Sequence, residues 1–296
     1  ESVALKLGFA DENHGYAIDL GLPIPVPGGS QFNLDPEIKR EALWYGEKLG
    51  RRNIIANRAG MGVHVMQSDG TIGTVISSLS PFDSMMNFAA DPKNTSELLY
   101  VREDMARWRF YDQLRTDQDA PARRSTIGTR TTALAGDGSD LAAAIQTIFE
   151  IGAAELFDQA IEDAFPGASI LINNNEGNFE LSMQQPGMLR ALKASELSDG
   201  TLRYILLVAA LLTPRPPPFL VLNEPETSLH PSLLGPLARL IIAASRETQL
   251  LVVSHAATLV EKLKNETECL CHELRKEHGE TIVADLVQPA WNWPKR

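Results

Sequence analysis

Three short stretches of this sequence combine residue types that can handle a phosphate group or a water molecule. In the first, the apolar run Phe219-Leu220-Val221-Leu222 passes directly into Asn223-Glu224-Pro225-Glu226. Such a run reads as a buried strand, and in open α/β sheets ligands bind outside the carboxyl ends of strands. A glutamate at that point, Glu224, can act as general base on water if its geometry suits. The plain alternative is an acidic, solvated loop after a core strand. In the second stretch, Leu197-Ser198-Asp199-Gly200-Thr201 stands directly before a helical segment. Backbone amides and the dipole at a helix N-terminus attract anions. Gly200 would let a phosphate come close to the backbone, and Ser198 and Thr201 offer hydroxyls. The alternative is an ordinary helix capped by Ser198 or Asp199. In the third, Ser254-His255 follows the apolar run Gln249 to Val253. A histidine there can donate to a phosphate oxygen or hold a water, or it can be purely structural.

These stretches need a scaffold of alternating strands and helices. Thr201 to Leu212 reads as a helix, Pro214 to Pro218 as a stiff connector, and Pro231 to Ser245 as a helix with proline in its first turn. With the two apolar runs this suggests βαβ units and a parallel sheet covered on both faces. Upstream, Ser139 is expected to cap one long helix whose apolar stripe runs from Leu141 to Phe165. A hairpin is expected from Ser169–Ile172 and Phe179–Ser182 across an asparagine and glycine turn. From Ser96 a helix is expected through about Leu114, followed by a polar loop from Pro121 to Gly138. The first seventy-odd residues read as a small antiparallel sheet. Its expected strands are Val3–Leu7, Tyr16–Leu20, Ile54–Ala56 and Val63–Met66, with a loop at Pro23–Gly29 and a turn at Ser68-Asp69-Gly70.

Composition sets the outer limits. The 296 residues are 44% hydrophobic and 22% charged, enough for a sizeable core and unlike a disordered or fibrous chain. No apolar run approaches the roughly 18 residues of a membrane span, and no secretory signal is visible. A net charge of −11 repels nucleic acid on average, so contact with DNA would need a local basic patch. Two cysteines, Cys269 and Cys271, make no disulfide framework, and a reducing cytoplasm is the simplest compartment. A first residue that is Glu1 rather than Met is as expected of a fragment or a processed form.

In their order and spacing the motifs resemble the ABC-type ATPases of the SMC/RecF branch, in particular the bacterial AAA family ATPases whose Walker B region reads close to LNEPETSLHP. LSDGT at 197–201 matches the signature, FLVLNEPE at 219–226 the Walker B segment, Ser228-Leu229-His230-Pro231 the D-loop, and Ser254-His255 the H-loop. The resemblance runs from about Ser80 to Trp291–Arg296. It implies an α/β, P-loop NTPase-like head: a mixed sheet with a small antiparallel β subdomain and a helical subdomain. The divisions expected are 1–78, 79–195 and 196–296. It also implies ATP and Mg²⁺ as cofactors and a head-to-tail homodimer with two composite sites. On this pattern Glu224 activates water and His255 meets the γ-phosphate. Ser198, Asp199, Gly200 and Thr201 hold ATP in trans, with Ser228 and His230 beside it. Asn223 occupies the usual aspartate position of the metal site, bringing an oxygen without charge. No G-x-x-x-x-G-K-[ST] occurs in the 296 residues. The family carries that loop upstream of the small sheet, and the parent protein is expected to carry it there.

The output implied by the resemblance is ATP-driven dimerisation acting on DNA or on a partner protein, without a membrane. The alternative is a catalytically silent interaction module that keeps the fold. Arg102, Arg107, Arg109, Arg115, Arg123, Arg124 and Arg130 are interleaved with Trp108, Phe110 and Tyr111, which would suit a nucleic acid or a partner. Acidic neighbours dilute them, and a solvated helix is the preferred reading. Cys269-Leu270-Cys271-His272 reads as a strand with both cysteines on one face, turning at Glu277-His278-Gly279 into Thr281–Val283, in preference to a metal site.

Overall fold

The computed structural model describes residues 4–24, 31–67, 70–91, 95–265, 269–284 and 293. Val3, most of the Pro23–Gly29 loop, Ser68–Asp69 and the terminal 291–296 except Trp293 lie outside the described residues. The chain divides into two compact units, Glu1–Ala106 with Leu274–Arg296, and Arg107–Glu273. The boundaries read from the sequence stand instead at 78/79 and 195/196.

In the first unit six antiparallel strands pair in chain order. They are β1 (Ala4–Ala10), β2 (His14–Gly21), β3 (Glu37–Tyr45), β4 (Ile54–Ala59), β5 (Gly62–Met66) and β6 (Ile72–Ile76). β3 was not expected, because Lys39, Arg40 and Glu41 interrupt its alternation. The pattern fails there because Glu41 is not a surface residue. Its side chain is fully buried 3.3 Å from Nη1 of an equally buried Arg58 on β4. Tyr16 Oη, Ser84 Oγ and the Met85 amide donate to the same carboxylate at 2.8, 2.5 and 2.9 Å. Arg58 in turn donates to the carbonyls of Gly60, Ser80 and Asp83. The network ties the sheet to the segment that leads into α1 (Met85–Phe88) and α2 (Ser96–Ala106). Around it pack Leu43, Ile55, Val63, Met85 and Leu98.

The second unit holds the expected α/β arrangement. Its elements are β7 (Arg109–Tyr111), β8 (Thr126–Ile127), α3 (Leu141–Ile151), α4 (Ala154–Ala164), β9 (Ser169–Asn175), β10 (Asn178–Gln184) and β11 (Leu192–Lys193). There follow α5 (Asp199–Leu211), β12 (Phe219–Asn223), α6 (Leu234–Ala244), β13 (Gln249–Val253) and α7 (Ala257–Lys264). β9 and β10 form the expected hairpin, with β8 and β11 pairing β10 on its other side. β12 lies between β7 and β13, parallel to both. α5 is buried from Leu202 to Leu211, as its mostly apolar sequence requires, with Arg203 the one charged side chain in that buried run.

Three expectations needed correction. The helix from Ser96 ends at Ala106, and Arg109–Tyr111 is a strand. Its aromatic residues favour extended backbone, and pairing with β12 satisfies it. The long helix from Ser139 is two helices, and Asp140 rather than Ser139 precedes the first. The break falls at Gly152, where a Cβ would stand 2.9 Å from the Ile148 carbonyl and 3.0 Å from Pro214 Cγ. The C-terminal hairpin is β14 (Leu274–Glu277) and β15 (Glu280–Val283), in the first unit. Cys269 and Cys271 precede it, outside any strand and exposed.

Removing one partner of a buried, hydrogen-bonded ion pair leaves an uncompensated charge, which costs about 3–5 kcal/mol. Glu41→Ala is therefore expected to lower the urea midpoint by an amount corresponding to about that loss. A change below about 1 kcal/mol would show that the pair is not what holds the sheet to the 80–85 segment.

Candidate functional site

The site is built where the parallel strands end. Leu220 and Leu222 are buried on the core side of β12, so the strand is fixed in register and delivers Asn223 and Glu224 at its carboxyl end. The Glu224 amide donates to the Val253 carbonyl at 2.8 Å and extends the ladder to β13 by one bond. There the chain turns, and Glu224 adopts a left-handed conformation with φ of 45°. For a residue with a side chain, and one that precedes proline, this is a costly backbone state, held only when its surroundings over-determine it. The Glu224 carbonyl accepts from the Thr227 amide at 3.1 Å and from Arg203 Nη2 at 3.2 Å. Arg203 lies in α5, nearly buried, and also donates to the Leu114 carbonyl at 2.6 Å. Burial pulls its guanidinium below the usual arginine range, against the opposing pull of the Glu226 and Glu224 carboxylates.

From this turn the Glu224 side chain comes within 3.4 Å of His255 Nε2, oxygen to nitrogen. His255 stands two residues past the end of β13 with its imidazole largely exposed, and Glu224 is half-exposed. The next carboxylate, that of Glu226, reaches the same loop with one side-chain oxygen. Its Oε1 accepts from Ser254 Oγ, the His255 amide and the Ala256 amide at 2.7, 2.8 and 3.1 Å. Burial pushes the Glu226 carboxyl up, and these hydrogen bonds, together with its own backbone amide, more than offset that and hold it below its ordinary range.

The signature-like residues are joined to this turn from the other side. Ser198 caps α5, its Oγ accepting from the Thr201 amide at 3.1 Å and lying 2.8 Å from Thr201 Oγ1. Asp199 accepts from Arg123 Nη2 at 2.7 Å, and Arg123 also donates to the carbonyls of Ala194 and Leu197. Gly200 faces Ser228, where a Cβ would meet the carbonyl oxygen at 2.6 Å. Ser228 itself has φ of 65°. His230 caps the short turn Pro231–Leu233 that opens into α6, its Nδ1 accepting from the Ser232 amide at 3.3 Å. Thus Asn223, Glu224 and His255 gather at one edge of the sheet, and Ser198, Gly200 and Ser228 form a neighbouring turn-on-turn contact.

Three residues of this assembly were not singled out from the sequence: Arg203, Glu226 and, as a structural group, Arg123. Arg203 follows LSDGT by two residues, so a charge inside an apolar helix was the available signal. Arg123 has a side chain only 6% exposed, which removes it from any surface patch. Arg115, Arg124 and Arg130 each pair with a nearby carboxylate.

The family described as "AAA domain, putative AbiEii toxin, Type IV TA system" matches residues 76–261, well over half of the chain. The chain belongs to this family. The AAA-domain stretch spans all three motif regions above, and the SMC-type ATPase resemblance read from them agrees with it. The chromosome partition protein Smc of Clostridium kluyveri is 30% identical over 105 residues, 33% of this chain. The chain spans 9% of the length of that curated relative. Among solved structures, an Smc head bound to the C-winged helix domain of ScpA aligns over 92% of this chain and 74% of its own, at 13% identity and a TM-score of 0.48. The SMC head domain from Thermotoga maritima aligns over 93% and 75%, at 16% identity and 0.40. At these values the two likenesses add nothing to the family assignment. No helix among the described residues is long and apolar enough to cross a membrane.

Two outcomes follow from this geometry. Gly200→Ala must push the Ser228 carbonyl aside, an overpacking cost of about 1–3 kcal/mol readable by denaturant unfolding. An unchanged midpoint would mean that the two turns do not hold each other. Because the folded Glu226 carboxyl is held below its ordinary value of 4.5, its stabilisation is present above that value and is lost as pH falls through the folded value. The stability gap between the native chain and Glu226→Gln is expected to shrink as pH falls below about 4.5. A gap that widens on acidification would reverse the sign.

Proposed function

We propose that this chain is the signature, Walker B and H-loop part of an ATP-hydrolysing head, and that ATP binding drives two such heads together to act on DNA or on a partner protein. The observation that carries this reading is Glu224, left-handed at the carboxyl end of the central parallel strand and 3.4 Å from His255 on the neighbouring one. In this reading Glu224 takes a proton from the attacking water, and His255 donates to the γ-phosphate. Positioned donors of this kind stabilise charge on the transferred phosphoryl. Ser198, Asp199, Gly200 and Thr201 cover the nucleotide of the opposite head, with Ser228 and His230 at the seam. The C. kluyveri Smc relative is a chromosome partition protein, and work on DNA is carried over from it as part of the proposal.

The phosphate-cradling loop has to come from elsewhere, since no G-x-x-x-x-G-K-[ST] occurs here. One face of the parallel sheet supports such an addition. Phe110, Leu251 and Val253 are 53%, 48% and 39% exposed on it, whereas parallel sheets are normally covered on both sides. Magnesium fits these residues poorly on their own. Among the described residues no three histidines, cysteines or carboxylates come together for a metal, and Asn223 offers only a neutral oxygen. A magnesium ion arriving with ATP would neutralise phosphate charge, with Asn223 as a single neutral oxygen beside it. Asn223 is also the observation that favours the rival reading of a silent module in which the fold persists without turnover.

In the complete protein, Glu224→Gln is expected to leave nucleotide binding intact and lower kcat by about 10²–10⁴-fold. Steady-state turnover with a parallel binding titration checks this. Unchanged turnover in that variant overturns the role given to Glu224, and nucleotide binding without turnover in the native protein favours the silent module.

A further inference from the structure

We propose that Glu226 is a positioning residue for His255, and this rests on the reading of the site given above. The imidazole of His255 is 82% exposed and lies 3.4 Å from Glu224, so little of the ring is held by surrounding protein. Its backbone is fixed by a carboxylate from the other strand. One oxygen of Glu226 collects the Ser254 hydroxyl and the amides of His255 and Ala256, and the Ala256 amide also meets Ser254 Oγ at 3.1 Å. Hydrogen bonds to an ionised acceptor are about twice as strong as neutral ones. Three of them converging on one atom order the main chain of the loop while the ring itself stays largely exposed.

Glu226 is itself held in the turn that begins at Glu224. Pro225 is buried between the two carboxylates, and the Leu229 amide donates to the Glu226 carbonyl at 3.0 Å. The same turn touches α5 at Gly200 through Ser228. Glu224 and His255, delivered by different strands, are therefore kept in reach of each other by the residue two places past Glu224. The second oxygen, Oε2, is buried with no hydrogen-bond partner among the described residues. A glutamine must bury its amide NH₂ or its carbonyl there, so Glu226→Gln retains at most a weaker version of the clamp.

The test has two independent readouts. Amide hydrogen exchange on this chain, followed by NMR, is expected to show Glu226→Ala releasing the His255 and Ala256 amides at least about tenfold, with the Glu224 amide and the β12–β13 ladder still protected. In the complete protein the same variant is expected to lower kcat by roughly 10–100-fold with KM for ATP unchanged. Glu226→Gln is expected to fall between Ala and the native residue on both. Amides 255 and 256 that exchange as in the native chain overturn the proposal, and so does their release without any fall in kcat. Loss of protection throughout β12 and β13 in both variants would assign Glu226 to folding in general and also overturn it. If Glu224→Gln hydrolyses ATP normally, the reading of the site fails on that result alone, while the exchange measurement still decides whether Glu226 sets the His255 backbone.

Discussion

Everything at the candidate site hangs on the pairing of β12 between β7 and β13. The strand is five residues long, and its alternate side chains Leu220 and Leu222 are sunk in the core. A slip of one residue would turn those leucines outward and turn Asn223 inward, so the register is set by burial. Once it is set, the carboxyl ends of β12 and β13 lie side by side, and the residues that follow them must meet. The bond from the Glu224 amide to the Val253 carbonyl is the last rung of that ladder and the first contact of the site.

Beyond that rung the fold stops relying on apolar packing and relies on backbone carbonyls and charged side chains. Arg203 crosses from α5 to the carbonyls of Leu114 and Glu224, Arg123 crosses to those of Ala194 and Leu197, and Glu226 crosses to the amides of the 254–256 loop. Each is a charged group bonded to main-chain atoms of the turns around the site. Polar groups in such places must be paired or they cost free energy. Turns that carry function cannot be apolar, so long charged side chains reaching from buried positions are the available way to hold them. The first unit uses the same device, where Glu41 and Arg58 hold the segment before α1 to the sheet.

The parts legible in the sequence were those with a period or a motif. The apolar runs marked β12 and β13, the apolar stretch from Thr201 marked α5, which begins two residues earlier at Asp199, and the hairpin β9–β10 announced itself by its turn. β7 was read as helix because its three residues carry too little pattern to outvote the helical stretch before them, and only its long-range pairing with β12 makes it a strand. β3 was missed because its charges are buried, which composition cannot reveal. Arg203 and Glu226 were passed over for a related reason. Their targets are carbonyls and amides, which every residue has, so no sequence signature marks the partner.

The same logic bears on what the signature-like residues do. Ser198 spends its hydroxyl on a cap, and Gly200 is required by the approach of the Ser228 carbonyl whether or not a phosphate ever comes near. The bland and the functional readings of these residues are therefore not rivals. A turn that must present backbone amides to an anion has to be held rigid beforehand, and the contacts that hold it use the residues the motif specifies. Gly200 lets the 197–201 turn seat against the turn at Ser228 within one chain, whatever that turn later meets. Ser228 and Glu224 are two of the non-glycine residues with left-handed backbone among those described, and they bracket the segment that joins the 197–201 turn to the carboxyl end of β12.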